Sequence, residues 1–194
     1  MNEIWTHIQK GIFHVLNIEA YDHILIIALL AVPFLFNKWK RILFLVSIIA
    51  VAHLLTGVLA IYDVVSVKRG LLTFVITLTI LTLAVYNILT SGKRPQTEKF
   101  GLVFLIAVFF GLVHGLNAES FLDGLLNNNT DRLVTLALST IGLWIGEIIL
   151  AFIVVFIGFL GQTIFRFTTR DWVLVVSGIA LGLVIPMVVS NWQL

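Results

Sequence analysis

The sequence contains no cysteine, which excludes disulfides, thiolate metal sites and cysteine-based catalysis together. Charged residues are also scarce, at 11% of the chain, where a soluble domain has about 25%. Hydrophobic residues make up 60% of the chain, and the mean hydropathy is +1.09. This balance is too apolar for a core surrounded by water. The sequence therefore predicts an all-α, polytopic membrane helix bundle that forms one domain over residues 1–194.

Six apolar runs in the chain are candidates for membrane spans. A transmembrane helix needs about 20 apolar residues, because the hydrocarbon core is about 30 Å thick. The runs, which predict about six transmembrane helices, cover residues 20–36, 42–62, 71–90, 100–116, 133–165 and 172–191. Before the first run, residues 2–16 have mixed polarity. They predict a short N-terminal helix that lies in the membrane interface or tucks into the mouth of the bundle.

Basic residues are concentrated in three of the connectors between these runs. Segments 37–41, 91–99 and 166–171 hold eight of the twelve Lys and Arg residues. By the positive-inside rule these connectors are cytoplasmic, so both termini face outward, as in a bacterial inner-membrane protein. Seven acidic residues collect on the opposite face, where they attract cations. The formal net charge of +2 thus reflects topology, and no nucleic-acid partner is expected.

Titratable side chains within the apolar runs are costly in lipid and are candidate functional residues. With one histidine that precedes the first run, the set is His14, Asp22, His23, His53, His114 and Glu147. The topology places the histidines and Asp22 in the outer half of the bundle. Asp22 and His23 are predicted near the outer surface, at the start of an inward-running span. Glu147 is predicted nearer the middle, as a relay position or an additional ligand.

These residue types suit a divalent metal ion. Imidazole nitrogen and carboxylate oxygen are the usual protein ligands of zinc, nickel and cobalt. Asp22 would either coordinate the metal or orient a neighbouring imidazole, and the alternative is an N-cap of the first membrane helix. A histidine in a membrane protein can also be a packing or hydrogen-bonding residue. That interpretation is favoured for His7, which lies outside the runs.

Glycine pairs with GxxxG spacing occur in three of the apolar runs. They begin at Gly111, Gly142 and Gly178. Small residues four positions apart let helix backbones approach closely in a membrane. The first pair contains His114 and the second ends beside Glu147, which predicts close packing near the polar residues. Small-residue helix faces could also support a homo-oligomer.

Three segments carry a resemblance to a known family: HVLNIEAYDHILII (14–27), AHLLTGVLA (52–60) and FFGLVHGLNAESFL (109–122). They resemble the HupE/UreJ membrane proteins, regarded as nickel or cobalt permeases associated with hydrogenase and urease maturation. The resemblance implies a helical-bundle permease for a divalent metal. The metal residues it implies are His14, Asp22, His23, His53 and His114. This chain departs from the family pattern in the fifth span, where its carboxylate, Glu147, stands three residues later.

The leading interpretation is an integral membrane permease or binding protein for nickel, cobalt or zinc, with the metal ion and the lipid bilayer as its partners. One alternative is an intramembrane zinc-dependent hydrolase, in which Glu147 or Asp22 accepts a proton from metal-activated water. Another is a b-type haem protein with His53 and His114 as axial ligands. A transporter is favoured over an enzyme. The residues do not distinguish among the three metals.

Overall fold

A computed structural model of the protein describes residues 2–18, 21–34, 38–92, 96–122, 125 and 131–192. The described part of the chain is all-helical and has no strands, which confirms the predicted fold class. In chain order the helices are α1 (Asn2–Leu16), α2 (Asp22–Ala31), α3 (Trp39–Ile61), α4 (Arg69–Thr90), α5 (Gln96–Gly115), α6 (Ala118–Leu122), α7 (Arg132–Ile164) and α8 (Thr169–Asn191).

Four of these helices are long and apolar enough to cross a membrane: α3, α4, α7 and α8. The other two predicted spans form shorter apolar helices, so the count of about six transmembrane helices is not confirmed. The first run, predicted over 20–36, forms a helix of only ten residues, about 15 Å long at 1.5 Å per residue. This helix ends at Ala31 and is followed by a turn that contains Pro33, whose ring does not fit a helix interior.

Helix α1 packs lengthwise against α7, and the two run in the same direction. Gly142 of α7 faces Ile8 and Gly11, and Gly146 lies against Ile12 and Val15. The side chain of Val15 is fully buried. The N-terminal helix is therefore part of the bundle and does not lie flat in the interface. An amphipathic pattern predicts an apolar face but does not say whether lipid or another helix covers it.

Helix α2 continues deeper into the bundle from the point where α1 ends. Its second residue, His23, contacts Glu147 in the middle of α7. Near its other end, the Leu29 carbonyl oxygen accepts a hydrogen bond of 2.9 Å from Asn87, close to the end of α4. The helices α1 and α2 thus lie in series beside α7, as α1 ends at Leu16 and α2 begins at Asp22. Irregular backbone inside a membrane bundle is tolerated where other protein elements or a cavity surround it.

The remaining helices pack in pairs, and their directions define the two ends of the bundle. Helix α5 runs parallel to α3, with Gly111 against Ile49 and Gly115 against His53. Helix α8 runs antiparallel to α4, as Ser91 lies near Arg170 at one end. We call the end where α3 and α5 finish and α7 begins the cavity end. The opposite end, where α3 and α8 begin, is called the basic end.

Two of the three GxxxG pairs are used in these contacts within the chain. Gly111 and Gly115 face the α3 backbone, and the pair at Gly142 faces α1. The third pair, Gly178 and Gly182 on α8, has open space where a Cβ would stand. A homo-oligomer formed through a small-residue face would have this third pair to use, and it stays a prediction.

We expect Gly142→Val to lower the melting temperature of the purified protein. A side chain at this position would overlap the carbonyl oxygen of Ile8 and push α1 away from α7. Overpacking of this kind costs about 1–3 kcal/mol. Thermal unfolding in detergent measures the change. The matched control is Gly178→Val, because a Cβ there meets nothing within 4 Å. Equal melting temperatures for the two variants would contradict the α1–α7 contact.

Candidate metal centre

Three histidines from three helices meet at one point in the bundle. His14 lies two residues before the end of α1, His23 is the second residue of α2, and His114 lies one residue before the end of α5. One ring nitrogen from each lies within 4.8 Å of the other two. The closest pair is His23 Nε2 and His114 Nε2, at 2.8 Å. The structure therefore brings together three of the sequence-predicted ligands.

The helix ends explain how these side chains reach one another. Helix α1 ends shortly after His14, and α2 begins just before His23, so the two histidines lie on either side of the same helix interruption. His114 is carried in by α5, whose Gly111 and Gly115 allow close contact with the α3 backbone. Phe110 lies one turn before His114 on the same face of α5. Its ring stacks on that of His114 with centroids 5.3 Å apart.

Two carboxylates contact the opposite ring nitrogens of this cluster. Glu147 Oε1 lies 3.3 Å from His23 Nδ1, and Asp22 Oδ2 lies 3.7 Å from His114 Nδ1. Both separations are long for an N–H···O hydrogen bond. In each pair, the Nε2 atom that points away from the carboxylate is the one that meets the other ring. This is the arrangement in which a carboxylate orients a metal-binding imidazole from behind.

The alternative role for Asp22, an N-cap, is wrong. The N-cap of α2 is Tyr21, which has no side-chain cap hydrogen bond. Asp22 is the first residue of the helix, and its Oδ1 accepts a hydrogen bond of 2.9 Å from the backbone N–H of His23. Adjacent helical residues point in different directions. Asp22 therefore faces His114, while the ring of His23 reaches Glu147 from its other side.

His53 lies beside the three-histidine group but outside it. Its ring centroid is 5.6 Å from that of His114. The side chain is buried, and its Nε2 atom has no hydrogen-bond partner. A buried polar atom without a partner is costly, and such an atom in a native site calls for an explanation. His53 is thus placed to join a ligand set only if it or its neighbours move.

The depth of the site differs from the sequence-based expectation. Asp22 and His23 were predicted near the outer surface and Glu147 nearer the middle. Because His23 contacts Glu147, the two residues lie at the same level, and each is only 1% exposed. The reason is that α1 occupies the length of α7 between the cavity end and the site. The site is consequently deeper than the first apolar run alone predicts.

An open cavity of about 840 Å³ leads to this site. It is lined by His14, His53, His114 and Asp22, and also by Lys10, Asn17, Asn117 and Ser120. His14 thus belongs to the three-histidine group and also borders the cavity. A neutral imidazole has the lone pair that a metal needs.

The sequence interpretation missed several residues around the cluster. Asn117 lies in the turn between α5 and α6 and Ser120 lies in α6, and polar residues there resemble an ordinary connector. Phe110 closes the side of the site away from the cavity, where it is fully buried and meets the ring of His23 edge-on at 5.8 Å. Its spacing of four residues from His114 is the one signal that could have indicated it.

The donor set fits a divalent transition metal. Imidazole nitrogens are ligands for zinc, nickel and cobalt alike. Two nitrogens bound at about 2.1 Å to a tetrahedral ion lie about 3.4 Å apart. The His23 and His114 Nε2 atoms, at 2.8 Å, would separate by several tenths of an ångström to admit one. The third nitrogen, from His14, is already within the group.

Comparison with known proteins identifies the family of the chain. A family model described as HupE / UreJ protein matches residues 1–192. No curated protein and no solved structure matches the chain. The family is linked to nickel or cobalt transport at membranes, or to an accessory role in handling these metals. With four apolar helices of spanning length, the chain is an integral membrane protein. It belongs to the HupE/UreJ family, as its three sequence segments predicted.

Proposed function

We propose that the protein is a permease for a divalent transition metal ion, with nickel, cobalt or zinc as its substrate. The observation that carries this proposal is the group of three histidine nitrogens within 4.8 Å of one another. An open cavity connects the group to one end of the bundle. A metal ion can therefore approach from that end and exchange its water ligands for imidazoles.

We assign His14, His23 and His114 as the ligands that hold the ion. His53 completes the set as a further ligand after a small rearrangement, because its unpartnered Nε2 lies beside the group. Asp22 and Glu147 act from behind by fixing the orientation of an imidazole each. Glu147 lies on the side away from the cavity, which also suits it to receive the ion in a later step.

The distribution of charge supports an orientation for the proposed permease. The positive-inside rule assigns the basic end to the cytoplasm, so the cavity end faces outward across a bacterial inner membrane. On the far side of the site, Phe110 and apolar side chains such as Ile26 are fully buried. Passage inward then requires these side chains to move. The interruption between α1 and α2 lies at the site, as in transporters with discontinuous helices.

The two alternative functions gain no support from the described structure. A haem needs a flat slot between its two axial imidazoles. The rings of His53 and His114 are instead only 5.6 Å apart, and His23 lies against the second of them. A hydrolase would hold its zinc permanently, whereas a permease must release its ion. A purified protein without a Soret absorbance band, and metal that exchanges with chelator, would distinguish the permease from both.

We expect wild-type protein purified in detergent to bind nickel, cobalt or zinc stoichiometrically, and His23→Ala or His114→Ala to abolish this binding. Each variant removes one of the two nitrogens at the centre of the group. Isothermal titration and metal analysis measure the result. The control is His7→Ala, which removes a histidine of α1 outside the group. Absence of binding by the wild type, or equal loss in the control, would refute the assignment.

We expect Glu147→Gln to weaken metal binding about 10–100-fold, the usual effect of losing a carboxylate behind a ligating histidine. The amide keeps the shape of the side chain but loses the negative charge opposite His23 Nδ1. Asp22→Asn should have a smaller effect, because its contact with His114 is longer. Titrations with cobalt, whose visible absorbance reports coordination, measure both.

The matched control for these two variants is Asp131→Asn. Asp131 is also a carboxylate, but it caps the start of α7 by accepting hydrogen bonds from the helix backbone. Because asparagine caps a helix about as well as aspartate, this substitution should leave stability, cobalt affinity and the cobalt spectrum nearly unaltered. An unchanged affinity for Glu147→Gln would show that this residue does not support the site.

A further inference from the structure

An apolar groove lies between α3 and α7 toward the basic end of the bundle. Its volume is about 340 Å³. Its walls include Trp39, Leu43 and Val46 from α3 and Ile148, Phe152 and Val155 from α7. Both helices are long enough to cross the membrane, so the groove faces the hydrocarbon of the bilayer. No residue of this groove belongs to the histidine cluster or to the cavity that leads to it.

A polar contact between the two helices follows the groove toward the middle of the bundle. There the two helices are joined by a hydrogen bond of 3.1 Å from Trp144 Nε1 to Ser47 Oγ. Ser47 directly follows Val46, and Trp144 stands one turn before Ile148. A chain that enters from the basic end therefore meets a polar stop about two helical turns into the membrane. The shape is that of a slot for one flexible apolar chain.

Positive charge surrounds the other end of the groove. Lys38, Lys40 and Arg41 stand within four positions of one another at the start of α3. Trp39 is 53% exposed, and the Lys40 Nζ atom lies 5.9 Å above its ring. Tryptophan is favoured at the level of lipid headgroups, where basic residues attract anionic lipids. The groove thus joins an apolar slot to a cationic mouth at that level.

We propose that this groove binds one anionic phospholipid. An acyl chain lies in the slot between α3 and α7, and the phosphate of the headgroup lies against Lys38 and Lys40. A zwitterionic phospholipid fills the slot equally well, but the cation of its headgroup offsets the attraction between its phosphate and the lysines. The bound lipid bridges the two helices that carry His53 and Glu147. Binding of this lipid does not depend on whether the protein transports a metal, so each of the two proposals can fail without the other.

The test uses the full chain purified in detergent and titrated with phosphatidylglycerol or phosphatidylcholine with the same acyl chains. Native mass spectrometry counts the lipid molecules retained. We expect one phosphatidylglycerol to be retained with at least tenfold preference over phosphatidylcholine. The double variant Lys38→Gln/Lys40→Gln should bind phosphatidylglycerol roughly 25-fold more weakly, about fivefold for each lysine, and should weaken phosphatidylcholine binding much less. Leu43→Trp, which fills the slot, should weaken retention of both lipids.

Matched controls separate these effects from general ones. Lys68→Gln/Arg69→Gln removes the same charge at the cavity end, and Leu183→Trp adds the same side chain to the exposed face of α8. Both controls should retain phosphatidylglycerol like the wild type. Equal retention of the two lipids, or no effect of the lysine variant, would overturn the headgroup assignment. The lysine substitutions lie outside the core, so the comparison of the lysine variant with its control remains informative even if Leu43→Trp does not fold.

A Leu43→Trp protein that melts like the wild type and still retains the lipid would overturn the acyl slot. Retention of a second protein chain at this face, lost in Leu43→Trp, would overturn the lipid as the occupant of the groove.

Discussion

Close contact between helix backbones is the constraint on which the rest of the structure depends. Helix α1 packs against the α7 backbone at Gly142 and Gly146, and α3 packs against the α5 backbone at Gly111 and Gly115. The first contact holds His14 at the level of α2, and the second holds His114 beside it. Lipid tails are as apolar as leucine, so packing between helices supplies the attraction that burial supplies in water. The histidine cluster is a consequence of these two contacts.

The sequence predicted the helices well because length and polarity are local properties. Every apolar run contains a helix, and the ends agree within a few residues except in the first run. The first run forms a shorter helix because a turn that contains Pro33 follows Ala31. For the segment before it, the sequence left two positions open, the membrane interface and the mouth of the bundle. A hydropathy pattern records that one face of α1 is apolar, but not that Gly11 lies against the α7 backbone. The position of α1 in turn decides how deep His23 lies, which no local pattern contains.

The sequence predicted which residues form the candidate site, but not which of them contact one another. His23 and Glu147 are far apart in the sequence, and their contact depends on how α2 and α7 pack. The same holds for Asp22 and His114. The useful signal was the free-energy cost of placing a titratable side chain in lipid. Because of this cost, such a side chain in an apolar run must have a polar partner or a function. His53 shows the limit of that signal, because its Nε2 is buried without a partner.

Charge balance supports the proposal that this site binds a divalent cation. An unpaired ion is very costly to bury, so a buried charge must be neutralised nearby. Three imidazoles supply nitrogen ligands but no charge. Asp22 and Glu147, when ionised, supply two negative charges, which equal the charge of one divalent ion and stand behind two of its ligands. A monovalent ion would leave one carboxylate charge uncompensated, whereas nickel, cobalt or zinc would leave the closed site neutral. In the proposed metal site, the two carboxylates would therefore contribute to the choice of ion charge as well as to the orientation of the rings.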